Sequence, residues 1–403
     1  MTGARVDREK AFRTGDERVC DPAETVARVR PLLREMGITR IADISGLDRL
    51  GIPVVSAIRP NARSLAVSQG KGLSLAAATA SAVMEAIELF HAERVQLPLL
   101  LATASEMQGT RSIVDLSNLA MARNSRYHPD LPLLWVEGQD LLGGAPAWLP
   151  FEVVHMNACL PVPPGSGCWQ ATSNGLASGN TRQEAILHAL CEVLERDAAA
   201  VWQARSERHR LTTKLDLGTV NDEHCRSVLA RFFTAEVHVD AWDITSEAGV
   251  PSFLCEISEP LDALHESRFS GMGTHRRREI ALLRALTEAA QSRLTYIAGS
   301  RDDIFSEDFR RVQRARRPDE APARPRSFRD ITTAPAGASF EEDEVALFTA
   351  LRALDVRSVF VVDLTDPRWQ IPVVRVVAPG LEGPDDDPSY VPGRRARRAA
   401  EMQ

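Results

Sequence analysis

The 403-residue chain lacks most of the short patterns that announce a chemistry. No two of its six cysteines stand as C-x-x-C, so the usual zinc spacing is absent. There is no G-x-x-x-x-G-K-[ST], no G-x-G-x-x-G opening a helix after a strand, and no H-E-x-x-H. That excludes a P-loop, a dinucleotide fingerprint and the commonest zinc-protease helix. No apolar run reaches the length of about 18 residues that a membrane helix needs. Met1 to Asp16 holds no continuous apolar segment, so no signal peptide is read there, and reduced cysteines in the cytoplasm are expected. Aromatics make up only 5% of residues, and the net charge is −7. The core must therefore be built from Ala, Leu, Val and Ile, and general nucleic-acid binding, which needs a basic face, is not expected. Arginine is dense only around Arg310 to Arg329 and Arg394 to Arg398, beside Pro, Asp or Glu, and both stretches read as exposed linker and tail.

What is present is a mixture of hairpin-like strand pairs and separated helices. Helical stretches are expected over Pro22 to Met36, from beyond Gly72 to Arg94, Arg182 to Gln203, Arg277 to Ala298 and Glu341 to Leu354. Strands are expected over Ile41 to Ile44, Pro53 to Ile58, Leu133 to Gly138, Trp148 to Met156, Val237 to Ile244, Pro251 to Ile257, Ser358 to Leu364 and Pro372 to Val377. The class is α+β rather than a regular β-α-β alternation. Residues 1–37 read as a helical lead, 38–395 as the main domain with a mobile loop at about 311–327, and 396–403 as a basic tail.

Three of the helices share one pattern. Ala78 and Ala82 precede Glu85 and Glu88; Ala185 and Ala189 precede Glu192 and Glu195; Ala281 and Ala285 precede Glu288 and Gln291. In each helix the two polar groups, three apart, share a face, and Ser81, His188 or Arg284 joins it one turn earlier. A lone E-x-x-E is ordinarily a solvated face. Here the flanks are apolar, as in Ala82 to Phe90, and a partly buried carboxylate needs a cation or hydrogen-bond donors. Several on converging helices suit magnesium, which takes oxygen ligands and bridges carboxylates to substrate phosphates; a structural network of carboxylates would look alike. Lys71 lies between Gly70 and Gly72 ahead of the first helix, where close backbone approach and a helix N-terminus favour phosphate. Arg196 and Arg293 add guanidinium forks that match phosphate oxygens.

At these helices the sequence resembles the YcaO family, whose S-x3-E, E-x2-E and E-x2-Q elements correspond to Ser81 with Glu85, Glu192 with Glu195, and Glu288 with Gln291. The flanking Ser68 to Gly72, Glu192 to Asp197 and Thr287 to Arg293 fit as well, and the likeness covers about residues 38–395. The resemblance implies the family's own α+β fold and an ATP- and Mg2+-dependent enzyme that activates a peptide-backbone amide by phosphorylating its oxygen. It implies Lys71, Ser81, Glu85, Arg196, Gln291 and Arg293 as nucleotide-binding residues, and Glu85, Glu88, Glu192, Glu195 and Glu288 as metal ligands. A peptide or protein substrate and a homodimer are expected with it.

The chain ends without the Pro-rich tail of azoline-forming members and carries no long N-terminal domain for gripping a leader peptide. Ala378 to Glu382 followed by Tyr390 to Arg394 is similar to members that work with a separate TfuA-type partner, which are linked to thioamides. A thioamide product is therefore expected, with azoline cyclodehydration, or an ATP-binding accessory role in ribosomal protein methylthiolation, as the alternatives. Cys191 reads as packing rather than as a sulfur carrier.

Overall fold

Glycine on strands and alanine on helices let backbone pack directly against backbone. The computed structural model describes residues 10–260, 265–304, 313–315, 324–335 and 339–402. Helix α1 (Pro22–Val29) leads into an antiparallel three-stranded sheet of β1 (Arg40–Asp43), β2 (Val54–Ile58) and β3 (Val67–Lys71), on which α2 (Leu75–Ala92) packs. The largest sheet holds β4 (Leu99–Ala102), β5 (Leu133–Asp140), β6 (Pro146–Pro150) and β7 (Leu176–Ser178) together with two late strands, β14 (Phe360–Asp363) and β15 (Val373–Val377). Its order is β4-β5-β14-β15-β7 with β6 beside β5, all antiparallel, and α3 (Ala104–Met107) follows β4. Helix α4 (Arg182–Ala204) lies on β15 and β7, followed by α5 (Glu207–Thr212), β8 (Leu215–Asp216) and α6 (Glu223–Thr234). A third antiparallel sheet orders β9 (His238–Asp243), β10 (Ser252–Pro260), β11 (His265–Thr274) and β12 (Gln313–Ala315), covered by α7 (Arg278–Ala298). Strand β13 (Arg326–Ser327) pairs in parallel with β8, and α8 (Phe340–Ala353) and α9 (Arg394–Glu401) both pack on α4. This is the mixed α+β class with antiparallel sheets that the sequence implies.

The alanine stripes meet glycines. A methyl group built at Gly70 of β3 would overlap the backbone of Ala78 and Ala82 in α2. At Gly271 and Gly273 of β11 it would overlap the backbone of Ala281, Ala285 and Ala289 in α7. The glycines ahead of the helices thus serve strand-to-helix contact, and Lys71 is the last residue of β3 rather than the start of α2, whose N-cap is Ser74. Helix α2 is long and apolar enough to cross a membrane by composition, yet it is a core helix whose Ala82, Val83, Ala86 and Ile87 are fully buried.

Three expectations need correction. The strand expected to run to Met156 stops at Pro150, because the next turn places Glu152 where its carboxylate accepts from the backbone nitrogens of Cys168 (3.0 Å) and Trp169 (3.1 Å). Gly70 and Gly72, expected to allow close backbone approach to phosphate ahead of a helix, lie in or at the end of strand β3, and Gly271 and Gly273 lie in β11, where a missing Cβ is the requirement for packing on α2 and α7. The arginine-rich 394–398 is not a loose tail: it forms α9, with Ala396 and Ala399 buried. Arg395 donates to Asp197 of α4 (2.8 Å), and the Glu382 carboxylate accepts from Gly393 N, Ala396 N and the Tyr390 hydroxyl. An acid at a helix N-terminus satisfies otherwise orphaned N–H groups. The loop expected at 311–327 falls mainly outside the described residues, as do residues 1–9 of the expected lead. Residues 10–20 are folded onto the body, where Lys10 bonds Glu17 and Asp343 and Val19 N donates to Glu184 at 3.0 Å.

Gly70→Ala and Gly271→Ala should each destabilise the apo protein by about 1–3 kcal/mol through forced separation of strand and helix. Chemical denaturation measures this; unchanged midpoints would show that the close contact is not required.

Candidate functional site

Helices α2, α4 and α7 turn their acidic faces toward one another. Lys71 at the end of β3 reaches α7, its Nζ standing 2.7 Å from Glu288 Oε2, while Glu288 Oε1 accepts from Met272 N of β11 at 3.3 Å. Glu88 of α2 accepts from Ser178 N (2.8 Å) and Ser178 Oγ (2.7 Å) of β7. In α4, Arg196 lies 3.8 Å from Glu195. Glu85, Glu192, Arg196 and Gln291 are half-buried, and Glu195 is buried.

The electrostatics show how close the helices come. Burial, with Glu288 adding repulsion, pushes Glu85 up to about 7. Burial together with Glu85 and Glu192 pushes Glu88 up to about 8, against the Ser178 hydrogen bonds. Burial raises Glu192 to about 7, with Glu195 and Glu288 adding to it and Arg196 opposing. Burial and Glu288 raise Glu195 to about 7, again with Arg196 opposing. For Glu288, burial is outweighed by Lys71 and Arg196, which hold it below the usual range. Arg196 is raised despite burial, because Glu195, Glu288, Glu192 and Asp386 surround it. These carboxylates gather negative charge out of water, with Lys71 and Arg196 among them and Arg301, Arg284 and Arg375 within electrostatic reach, an arrangement that favours a divalent cation.

The donor set fits magnesium completed by phosphate. Among the described residues no three Asp, Glu, His or Cys side chains are grouped to cage an ion alone. Mg2+ takes one or two carboxylates and fills its octahedron with water and phosphate oxygens. Gln291 Oε1 is buried without a hydrogen-bond partner, a further oxygen in want of a donor or cation.

The structure brings together Lys71, Glu85, Glu88, Glu192, Glu195, Arg196 and Glu288, with Gln291 on the next turn of α7. Ser81 is exposed one turn before Glu85. Arg293 is elsewhere: it pairs with Asp48 (2.9 Å) and Glu259 (2.8 Å). Five residues beyond Glu288 is about 140° around a helix, so it faces another side of α7. Cys191 is buried in the core, as packing requires. Sequence reasoning missed Arg375, 3% exposed on β15 and within electrostatic reach of Glu192; its signal was a lone charge inside Val373–Val377.

The raised carboxylates make a pH prediction. Unfolded, they ionise near 4.5; folded, they keep protons up to about 7 or 8. The folded chain binds more protons in that window, so this contribution is complete below the unfolded value and is lost as pH rises through the folded ones. Without nucleotide and metal, the melting temperature should fall between pH 6.5 and 8, and Glu88→Gln, which mimics the protonated acid, should flatten the slope. A wild-type melting temperature that rises over this interval would contradict the burial of these acids.

A family model described as YcaO cyclodehydratase, ATP- and Mg2+-binding, matches residues 69–382. A Rhizobium leguminosarum bv. trifolii protein described by its place in the tfuA 3′ region is 37% identical over 387 residues, 91% of this chain and 89% of its own. A Methanothermobacter thermautotrophicus protein is 36% identical over 393 residues, 93% of this chain and 97% of its own. Among solved structures, YcaO from Methanopyrus kandleri bound with AMPPCP and Mg2+ superposes with a TM-score of 0.70 at 23% identity, covering 96% of this chain and 98% of that one. A heterocyclase in complex with substrate and cofactor gives a TM-score of 0.76 at 22% identity over 94% of this chain, which spans only 55% of that longer chain. These likenesses, on the same helices that gather the carboxylates, show that the chain belongs to the YcaO family of ATP- and Mg2+-binding enzymes.

Proposed function

We propose that the chain phosphorylates a backbone amide oxygen of a peptide or protein and yields a thioamide, working with a TfuA-type partner. The observation that carries the reading is the Lys71–Glu288 pair beside Arg196, which sets two phosphate-seeking cations among carboxylates from three helices. The tfuA-region relative supports the partner and, with it, the thioamide rather than the azoline.

The chemistry asks for position and charge neutralisation. A hydrosulfide ion adds to the amide carbon through sulfur and the carbonyl electron pair moves onto oxygen. That oxygen takes the γ-phosphoryl of ATP as the bond to ADP breaks. Phosphate then leaves with the former amide oxygen, the sulfide proton is given up to it, and a C=S bond remains. Lys71 and Arg196 would neutralise phosphate oxygens, and Glu288 aims Lys71. Glu85, Glu88, Glu192, Glu195 and Glu288 would supply the metal ligands. Magnesium bound there supplies charge neutralisation on the phosphates. Azoline formation uses the same activation with a Cys, Ser or Thr side chain as nucleophile, and the heterocyclase likeness is the observation that favours it.

Lys71→Ala should leave the apo melting temperature near that of wild type yet lose the stabilisation by ATP–Mg2+, which follows the ratio of ligand concentration to dissociation constant. Glu192→Ala and Glu288→Ala should abolish Mg2+-dependent ATP binding in calorimetry. Wild-type affinity in both glutamate variants would sink the site assignment.

The product is separable by mass. With a TfuA-type partner, a peptide and sulfide, the peptide should gain the difference between sulfur and oxygen, and ATP hydrolysis should rise above that of the chain alone. Loss of one water at a Cys, Ser or Thr would establish the azoline reading instead, and an unchanged mass with ATP still bound the accessory role.

A further inference from the structure

Arg375 is a buried cation without a carboxylate in direct contact among the described residues. Its Nε donates to Val153 O at 2.9 Å and its Nη2 to Thr172 O, while Nη1 has no partner. A buried charge is ordinarily paired; the acid that acts on this one is Glu192, through its field. Burial draws the guanidinium down to about 10, so it stays charged at neutral pH.

Arg375 lines a cleft that opens beside exposed Asn118 and is floored by Val193, the neighbour of Glu192. Two further lining atoms lack partners: Gln170 Oε1, on a side chain 6% exposed, and Asn174 Oδ1. Gln170 Nε2 is already used by Pro384 O at 3.2 Å. The residues lining the cleft thus hold one cationic N–H donor and two amide oxygens that are buried and unpartnered, beside walls such as Leu119 and Val376. No aromatic ring lines it, so it has no platform for stacking a base. A peptide backbone has the complementary chemistry, an acceptor carbonyl flanked by donor N–H groups.

We propose that this cleft receives the backbone of the acceptor peptide, with Arg375 donating to the carbonyl oxygen that becomes phosphorylated. This rests on the amide-activation reading above and names the group that holds its substrate. Addition of a nucleophile to the carbonyl carbon places a negative charge on that oxygen, and a preorganised donor in a water-poor cleft is worth most at that moment. Arg375 also lies within electrostatic reach of Glu192, so the oxygen would be held on the side of the cleft toward the carboxylates of the phosphate site.

The test uses the full chain with AMPPCP–Mg2+, which is not turned over, and N-acetyl-triglycine amide as the probe, followed by saturation-transfer NMR. Arg375→Gln should bind AMPPCP–Mg2+ within about twofold of wild type and lose peptide affinity by about tenfold or more, as removal of a charged hydrogen bond requires. Arg375→Lys should recover part of it. Asn174→Leu, at a less buried wall, should weaken the peptide with the wild-type melting temperature retained, which keeps the test valid if the Arg375 variants fold poorly. Equal peptide affinity in wild type and variants, no binding of the probe to wild type at millimolar concentration, or joint loss of nucleotide and peptide in Arg375→Gln would each overturn the assignment. A peptide that binds as described but never changes mass leaves the cleft standing and removes the reaction instead.

Discussion

Everything at the site depends on how closely three helices can be laid on their strands. Gly70, Gly271 and Gly273 leave no room for a side chain, and the alanines opposite them present almost none. Helices α2 and α7 are therefore held by their backbones, and the turns carrying Glu85 and Glu288 are fixed in place. Bulkier residues would hold the helices further out and move the carboxylates apart by a comparable distance. The small residues position the acids although they touch no ligand themselves.

That arrangement costs the free protein stability. Carboxylates that burial raises to about 7 or 8 are poised to exchange their protons for a metal ion. The cations are placed unequally among them. Lys71 and Arg196 hold Glu288 below the usual range, whereas burial outweighs Arg301 and Lys71 at Glu85 and the Ser178 hydrogen bonds at Glu88. The acids around Glu288 are thus unequal, with Glu288 held ionised and Glu85 and Glu88 keeping protons to higher pH.

Much of this could be read before the fold was known. The three helices, their alanine stripes and the acids three apart were legible because helical period and apolar flanks are local properties. The strands opposite them were not. Val67–Lys71, Leu176–Ser178 and His265–Thr274 carry no alternating apolar pattern long enough to mark them, and they are strands through pairing with neighbours distant in sequence. Arg293 was chosen for its nearness to Gln291 in sequence, where the angle around the helix was the relevant distance. Arg375 went unread because one charge in an apolar strand signals nothing until both sides of that strand are seen to be covered. Arg394 to Arg398 reads as solvated charge in the sequence because the two buried alanines of the helix Arg394–Glu401 are too few to mark a face.

The acids at positions 85, 192 and 288 come from segments about a hundred residues apart, so no fragment of the chain carries a usable site. Such long-range closure is slow compared with helix formation. Until the last of the three helices docks, a nascent chain has no means of gathering the phosphates of a nucleotide. Nucleotide capture thus reports completed folding, and ATP at cellular concentration would act on this protein as a late folding ligand, drawing finished molecules away from degradation and leaving partly folded ones without that protection.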